Sequence, residues 1–533
     1  MDFSAEYIDY NATGYFSKIV TDYLNSHTNL QALYEHKPNF EGIKNALTQR
    51  KSFPTDRLAL TSHLIKQYAN IDINEKVSNN ISLLKNENTF TVCTAHQPNI
   101  FTGHLYFIYK IVHTIKLADE LKKQLPEYSF IPVFYMGNED ADLEELGHIY
   151  ISGEKYEWNT NQTGAVGKMV VDKELIKLIK DFTARVDVLP YSKDIIQNIN
   201  KFYIEGELIQ QATLGFVNSL FESYGLVTLI PDSHELKKVM VSVFKDDIIN
   251  NNPNKLVLAT NEIIAQNYKA QASPRDINLF YIADQVRNRI IKEKEYFIVE
   301  NTSLKFSPEE IQLELNSYPE RFSPNVILRG LYQETILPNL AFIGGGGELS
   351  YWLQLHSLFE FYKIPFPVLI LRNSFLIIDK KIAALRSKLN ISTNDIFHSN
   401  LDLLNSFVAK NSEYDLDLNN YKLKIMQVYA EIQKQIEPID KSLIPHVINL
   451  EKKAVGKMEG VQKKVLRSEK RKFSDTENQI NKLKNMLFPN NSLQERIENI
   501  IPFYGKWGNN FIKALYDKSL TLEQKFCILE ENN

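Results

Sequence analysis

Three carboxylates crowd the end of an apolar run at Pro132–Leu146, PVFYMGNEDADLEEL. Glu139, Asp140 and Asp142 there could hold an ammonium group, bind Mg²⁺ through oxygen, or take a proton as a general base. The same acids would also suit the N-terminus of a following helix through its dipole. A denser stretch is Ser323–Leu355, SPNVILRGLYQETILPNLAFIGGGGELSYWLQL. Its four consecutive glycines, Gly344, Gly345, Gly346 and Gly347, would let a backbone approach a ligand closely, or would simply form a flexible turn. They spell neither the dinucleotide fingerprint nor the Walker loop, which disfavours nicotinamide and P-loop chemistry. Glu348 would repel a phosphate beside it, so an amino group suits that position better, with Tyr351 one helical turn on. Asn325, Arg329 and Gln333 are the polar candidates of the same stretch.

Two further loops carry chemistry. In Thr91–Lys116, TVCTAHQPNIFTGHLYFIYKIVHTIK, a β-prone run passes into a loop holding His96, Gln97, Asn99, Thr102 and His104 around Gly103, and then into a helical pattern. Free N–H groups at such a helix start suit a phosphate or carboxylate. Phe101-Thr102-Gly103-His104 partly echoes the H-x-G-H signature of nucleotidyltransferases, on two fixed letters. At Leu371-Arg372-Asn373-Ser374 a guanidinium stands where a carboxylate or phosphate could be clamped, or where a structural ion pair could form. No H-E-x-x-H, C-x-x-C or G-x-S-x-G occurs, which argues against catalytic zinc and an α/β-hydrolase.

The elements that must position these residues read as an α/β protein. Strands are predicted at Thr89–Thr94, Ser129–Met136, Leu226–Ile230, Val326–Leu328 and Val368–Leu371, alternating with helical stretches. That pattern gives a mostly parallel, Rossmann-like sheet covered on both faces. The wide spacing between the second, third and fourth strands requires insertions, near 155–220 and 235–320. Residues 1–88 read as a helical N-terminal segment of the core, 89–375 as the core itself, 376–488 as a helical coiled coil and 489–533 as a tail folding back. The coiled coil follows from Ile425, Tyr429, Ile432, Ile436, Ile439 and Leu443, which alternate spacings of four and three, with a second series after Pro445.

The 533 residues exceed one core of roughly 250 to 300. A net charge of -4 gives no global reason for nucleic acid or an acidic membrane as partner. Glu451–Lys472 carries nine basic and three acidic residues, read as a solvated coiled-coil face. Two cysteines, Cys93 and Cys527, build neither a disulfide framework nor a Cys-rich zinc site and suit a reducing cytoplasm. No signal peptide and no apolar run of the ~20 residues that span a bilayer is seen.

Together, AHQPNIFTGHLYFIYKIVHTIKLADEL, PVFYMGNEDADLEEL, YGLVTLIPDS, NVILRGLYQETILPNLAFIGGGGELSYWLQL, PVLILRNS and SLQERIENIIPFYGKWG resemble the bacillithiol biosynthesis cysteine-adding enzymes, also described as cysteine ligases. The resemblance runs over nearly the whole chain. It implies a Rossmann-type core with connective-peptide insertions, a coiled coil pairing two subunits into a homodimer, and the joining of L-cysteine to glucosaminyl malate. The family commonly reads GQQ, FTGP and GEDHD; this chain has Ala95-His96-Gln97, His104 and Asn138-Glu139-Asp140-Ala141-Asp142. Ala141 therefore cannot be an essential imidazole. The expected chemistry is an acyl-adenylate from ATP with Mg²⁺, and no zinc. Glu139, Asp140, Asp142 and His96 are the catalytic candidates, and Gln97, Asn325, Arg329, Gln333, Glu348, Tyr351, Arg372 and Ser374 the substrate set. Thr102, Gly103, His104 and Gly344 to Gly347 are expected near the nucleotide. The competing readings are an adenylate-forming ligase or nucleotidyltransferase with another amine acceptor, and a coiled-coil RNA-binding scaffold.

Overall fold

A computed structural model describes residues 2–532. The chain divides into two compact units: one runs to Leu376 and resumes over Ser492–Leu529, and the other is Ile377–Asn491 with the residues from Glu530 on.

The first unit is organised by a parallel sheet of five strands, β1 (Thr89–His96), β2 (Ser129–Met136), β3 (Val227–Leu229), β4 (Asn339–Gly344) and β5 (Val368–Leu371), in the order β3-β2-β1-β4-β5. β1 and β4 are buried along almost their whole length, as strands covered on both faces must be. Phe90, Val92, Leu340, Ile343, Val368 and Ile370 form one core with Ile43 and Leu47 of the helix Phe40–Lys51. Leu117 and Leu121 of α1 (Leu105–Gln124) join the same core. β1 and β4 are neighbours whose crossovers leave in opposite directions along the sheet, so a crevice opens between their C-terminal ends.

The fourth strand is not the predicted one. Val326–Leu328 begins the helix α2 (Val326–Ile336), and the strand follows it at Asn339. The Asn325 side chain accepts a hydrogen bond from the Ile327 N–H at 2.8 Å and so caps the helix. A triplet of apolar residues cannot by itself distinguish a strand from a buried helical turn. The N-terminal segment also differs from its reading, because Phe3–Ile8 is a strand before the helices begin. Its partner is Phe526–Glu531 at the far end of the chain, a pairing with no local signal.

Between β2 and β3 lie a short antiparallel pair, His148–Ile151 with Glu154–Glu157, and the helices Lys173–Val186, Ser192–Phe202 and Ile209–Phe221. Between β3 and β4 lie the helices Val241–Asn250 and Asn252–Ala265 and an antiparallel five-stranded sheet within 279–324. The second unit is helical. Asn419–Ile436 packs on Ile444–Lys470 as a hairpin, with Pro445 in the first turn of the latter, where its missing N–H is harmless. A break at 471–473 precedes the helix Ser474–Leu487. Among the described residues, no helix is long and apolar enough to cross a membrane.

Candidate active site

The crevice at the ends of β1 and β4 holds a cavity of about 630 Å³. Neighbouring strand exits are tied to one another: the Gly137 N–H donates to the His96 carbonyl, and the Arg372 N–H to that of Gly344, each at 2.8 Å. Of the sequence-derived candidates, His96, Gln97, Glu139, Asp140, Asn325, Arg329, Gly345, Gly346, Gly347, Glu348, Tyr351 and Arg372 line this cavity. Asp142, Thr102, Gly103, His104, Gln333, Gly344 and Ser374 do not.

The acids after β2 divide into different tasks. Glu139 forms an ion pair with the fully buried Lys237, whose ammonium also donates to the carbonyls of Glu320 at 3.1 Å and Phe322 at 2.9 Å. Asp142 accepts from the Glu145 N–H at 3.0 Å and caps the short helix Leu143–Leu146, so the dipole role applies to it. Asp140 is left facing the cavity. Gln97 donates to it at 3.2 Å, and the Arg287 guanidinium lies 4.0 Å away. Glu145 completes this wall; burial, then the neighbouring Asp142 and Asp140, push its carboxyl above the usual range.

The Gly-rich turn is a strand end and a helix start, not a flexible loop. Gly344 closes β4, and Gly346 begins α3 (Gly346–Gln354). A Cβ on Gly344 would come 2.8 Å from the Phe342 ring, whereas at Gly345 and Gly347 nothing lies closer than 3.6 Å and 3.9 Å. Gly345 and Gly347 would thus admit a Cβ at ordinary contact distance, whereas at Gly346 it would press on Val20 at 3.3 Å. Glu348 fills the anion position of the helix start from within, because its carboxylate accepts from the Gly345 N–H at 2.8 Å and pairs with Lys110. Lys110, on α1, is buried and also donates to the Ala95 carbonyl at 2.9 Å. Burial pushes its pKa down and Glu348 opposes that shift.

The loop after β1 splits in two. His96 and Gln97 reach the cavity. Burial, then the charge of Lys110, hold the His96 imidazole well below its usual pKa, so it is neutral. Its Nε2 is buried with no hydrogen-bond partner. The rest of the loop turns away to meet the segment returning at Ser492. Asn499 donates to the carbonyls of Phe101 at 3.0 Å and Gly103 at 2.5 Å, and His104 Nδ1 donates to that of Ile497 at 2.9 Å. Phe101 and Thr102 both sit at positive φ, 51° and 69°, a conformation that these outside contacts hold in place. Thr102, Gly103 and His104 thus serve this buried junction instead of facing a ligand.

Arg372 is not a free clamp. Both of its terminal nitrogens are engaged by Glu495, at 2.7 Å and 3.0 Å, and one also donates to Ser374 Oγ at 3.0 Å. Glu495 is fully buried and accepts from Ser374 Oγ at 3.2 Å. Of the three guanidinium nitrogens of Arg372, Nε alone has no hydrogen-bond partner. Arg329 donates to the Tyr351 hydroxyl at 2.5 Å and to Gln333 at 3.3 Å, so the buried Gln333 holds Arg329 from behind the cavity. Asn325 spends its side chain on the α2 cap and on Asn278, 3.0 Å away.

Sequence reasoning missed Lys110, Glu145, Lys237, Arg287, Glu495 and Arg496. Lys110 left a trace, as the one lysine in the mostly apolar first half of α1. Glu145 lay inside the acidic motif. Glu495 and Arg496 lay inside SLQERIENIIPFYGKWG, and Lys237 and Arg287 come from the insertion between β3 and β4, outside the parallel sheet.

The descriptions "Bacillithiol biosynthesis BshC, N-terminal Rossmann-like domain" and "Bacillithiol biosynthesis BshC, C-terminal coiled-coil domain" match residues 3–373 and 375–531. Relatives named "Putative cysteine ligase BshC" match along the chain. The protein of Flavobacterium psychrophilum is 40% identical over 528 residues, covering 98% of this chain and 99% of the relative. That of Flavobacterium johnsoniae is 38% identical over 524 residues, with the same coverage. That of Christiangramia forsetii is 37% identical over 529 residues, covering 98% of each.

Proposed function

Because this chain belongs to the bacillithiol biosynthesis BshC family, we propose that its cleft joins the carboxyl of L-cysteine to the amine of glucosaminyl malate. The observation that carries this reading is how charge divides once the internal pairs are set aside. Glu139 is matched by Lys237, Glu348 by Lys110 and Arg372 by Glu495. What remains on the cavity wall is Asp140, whose pair with Arg287 is the longest of these at 4.0 Å, Glu145, and Arg329 and Arg496, neither of which is in an ion pair among the described residues. Such a cavity offers acids to an amine and guanidinium groups to carboxylates, which are the charges of the two reactants.

In this reading Asp140, aimed by Gln97, holds the sugar ammonium and takes the first of its two departing protons, which frees the lone pair for attack; the second leaves nitrogen for water as the C–N bond forms and the bond from the cysteine carbonyl to its activating group breaks. Arg329, fixed by Gln333 and Tyr351, orients a carboxylate. His96 lines the cavity as a neutral imidazole, so it adds no positive charge to compete with Arg329 for a carboxylate. The thiol of cysteine is selected by the size and shape of the cavity.

Amide formation requires an activated carboxyl, and ATP with Mg²⁺ is the source proposed on chemical grounds. The chain's own candidates for its phosphates do not fit them. Glu348 already takes the Gly345 N–H, and Thr102, Gly103 and His104 lie outside the cavity. The test is mass spectrometry of the purified protein with L-cysteine and glucosaminyl malate, with and without Mg-ATP. Bacillithiol formed only with ATP supports the ligase and its adenylate route; bacillithiol without ATP removes adenylation; no product in either condition removes the proposed reaction.

A homodimer in the cytoplasm belongs to the same proposal. The helical hairpin leaves Leu423, Val428 and Val461 at 62%, 54% and 48% exposure, apolar surface that a second copy would cover. Sedimentation of the full chain at micromolar concentration tests it, and a monomer there would remove this part.

A further inference from the structure

The segment that returns to the first unit at Ser492 delivers two adjacent charges with opposite fates. Glu495 is sealed against Arg372. Arg496 lines the cavity and is only partly buried. One of its terminal nitrogens donates to the Tyr15 carbonyl at 3.1 Å, and the guanidinium stands 5.5 Å from the centre of the Phe16 ring. These contacts fix the side chain through one N–H and an apolar face, and no carboxylate forms an ion pair with it among the described residues. Of the other cations lining this cavity, Lys110 and Arg372 each have an ion-pair partner, and Arg287 lies within ion-pair reach of Asp140. Burial lowers the pKa of Arg496, whereas for Arg372 the pairing with Glu495 overrides burial and the net shift is upward. A partly desolvated guanidinium with free forked N–H groups in a cleft is suited to a planar oxyanion.

We propose that Arg496 is a specificity-determining residue that binds a malate carboxylate of glucosaminyl malate, and that Glu495 positions it by anchoring the segment to Arg372. This inference rests on the ligase reading above. Malate is the ligand chosen because its two carboxylates survive the reaction unchanged and need a standing counter-charge. The cysteine carboxyl is instead consumed, and must reach the amine beside Asp140.

The test is calorimetric titration of the full-length protein with glucosaminyl malate and with its malate dimethyl ester, which is neutral at that end. Wild type is expected to bind the diacid at least about tenfold more tightly than the ester, as charge-assisted hydrogen bonds allow. R496Q is expected to lose most of that preference while binding the ester within about twofold of wild type. R496K keeps the charge without the fork, is expected to fall between, and decides the matter if R496Q does not fold. A preference unchanged in the variants would overturn the role of Arg496 and leave the ligase reading standing. Equal weakening for both ligands would overturn it too, and would assign Arg496 to holding the Tyr15 backbone. Failure of wild type to bind either ligand would overturn the ligase reading and this inference together.

Discussion

The exits of β2 and β5 look alike in sequence, each a short apolar strand ending in charged residues, yet they end up unlike. After β5 the one cation, Arg372, is neutralised by Glu495 from more than a hundred residues away and becomes part of the scaffold. After β2 one acid is neutralised by Lys237 and one caps a helix, while Asp140 and Glu145 keep facing the cavity. A charge at a strand end is the more available to a ligand the more loosely the rest of the fold holds it: Asp140 accepts from Gln97 at 3.2 Å and from the Asp142 N–H at 3.3 Å, with Arg287 4.0 Å away.

The largest effect that would break this comparison is at Asp140. D140N is expected to lower the rate of bacillithiol formation by about 10²- to 10⁴-fold, the usual contribution of a positioned proton acceptor, with little change in the urea midpoint. A rate near wild type would remove Asp140 from the reaction. At the β5 exit the expected loss is in stability. E495A leaves a buried guanidinium without its partner, which costs about 3–5 kcal/mol, read from urea unfolding. A loss below about 1 kcal/mol would mean that the pair is no stronger than an exposed one.

The returning segment also sets a pH dependence. Burial pushes the Glu498 carboxyl from 4.5 up to about 7 in the folded protein, while the Ser152 N–H, donating at 2.9 Å, opposes that shift. The folded state therefore favours the protonated form. That stabilisation is complete below about pH 4.5 and is lost as pH rises towards about 7, with no further change from this group above. E498Q should flatten the decline of the unfolding midpoint across that window. Asp247, raised to about 7 by burial, keeps part of the decline in that variant. An unaltered slope in E498Q would place the Glu498 carboxyl at its ordinary value. The smallest effect is at Asp142: D142A should cost about 1 kcal/mol through loss of the helix cap and leave the rate of product formation within about twofold. A rate loss as large as that of D140N would return Asp142 to the reacting group.

Much of the cavity was legible because its residues sit next to strand ends that local pattern reveals. His96 and Gln97 at the end of β1, Glu139 and Asp140 after β2, and Glu348 after β4 all lie within a few residues of an apolar run, and the crevice rule for parallel sheets places such residues together. The loop Thr102–His104 was misplaced for the opposite reason. Its distance from β1 is short in sequence, but Asn499 holds the Gly103 carbonyl and the Ile497 carbonyl holds the His104 ring away from the cavity. The Val326–Leu328 triplet failed because apolar content without length does not fix a period.

By itself the sequence determined the α/β core, most of its parallel strands, the helical hairpin and the family, because hydrophobic period and short motifs are properties of neighbouring residues. Only the tertiary structure decided which charges remain available. Lys237, Lys110 and Glu495 choose their partners through space, and the free energy of a buried charge depends on the groups within a few ångströms of it and not on its neighbours along the chain.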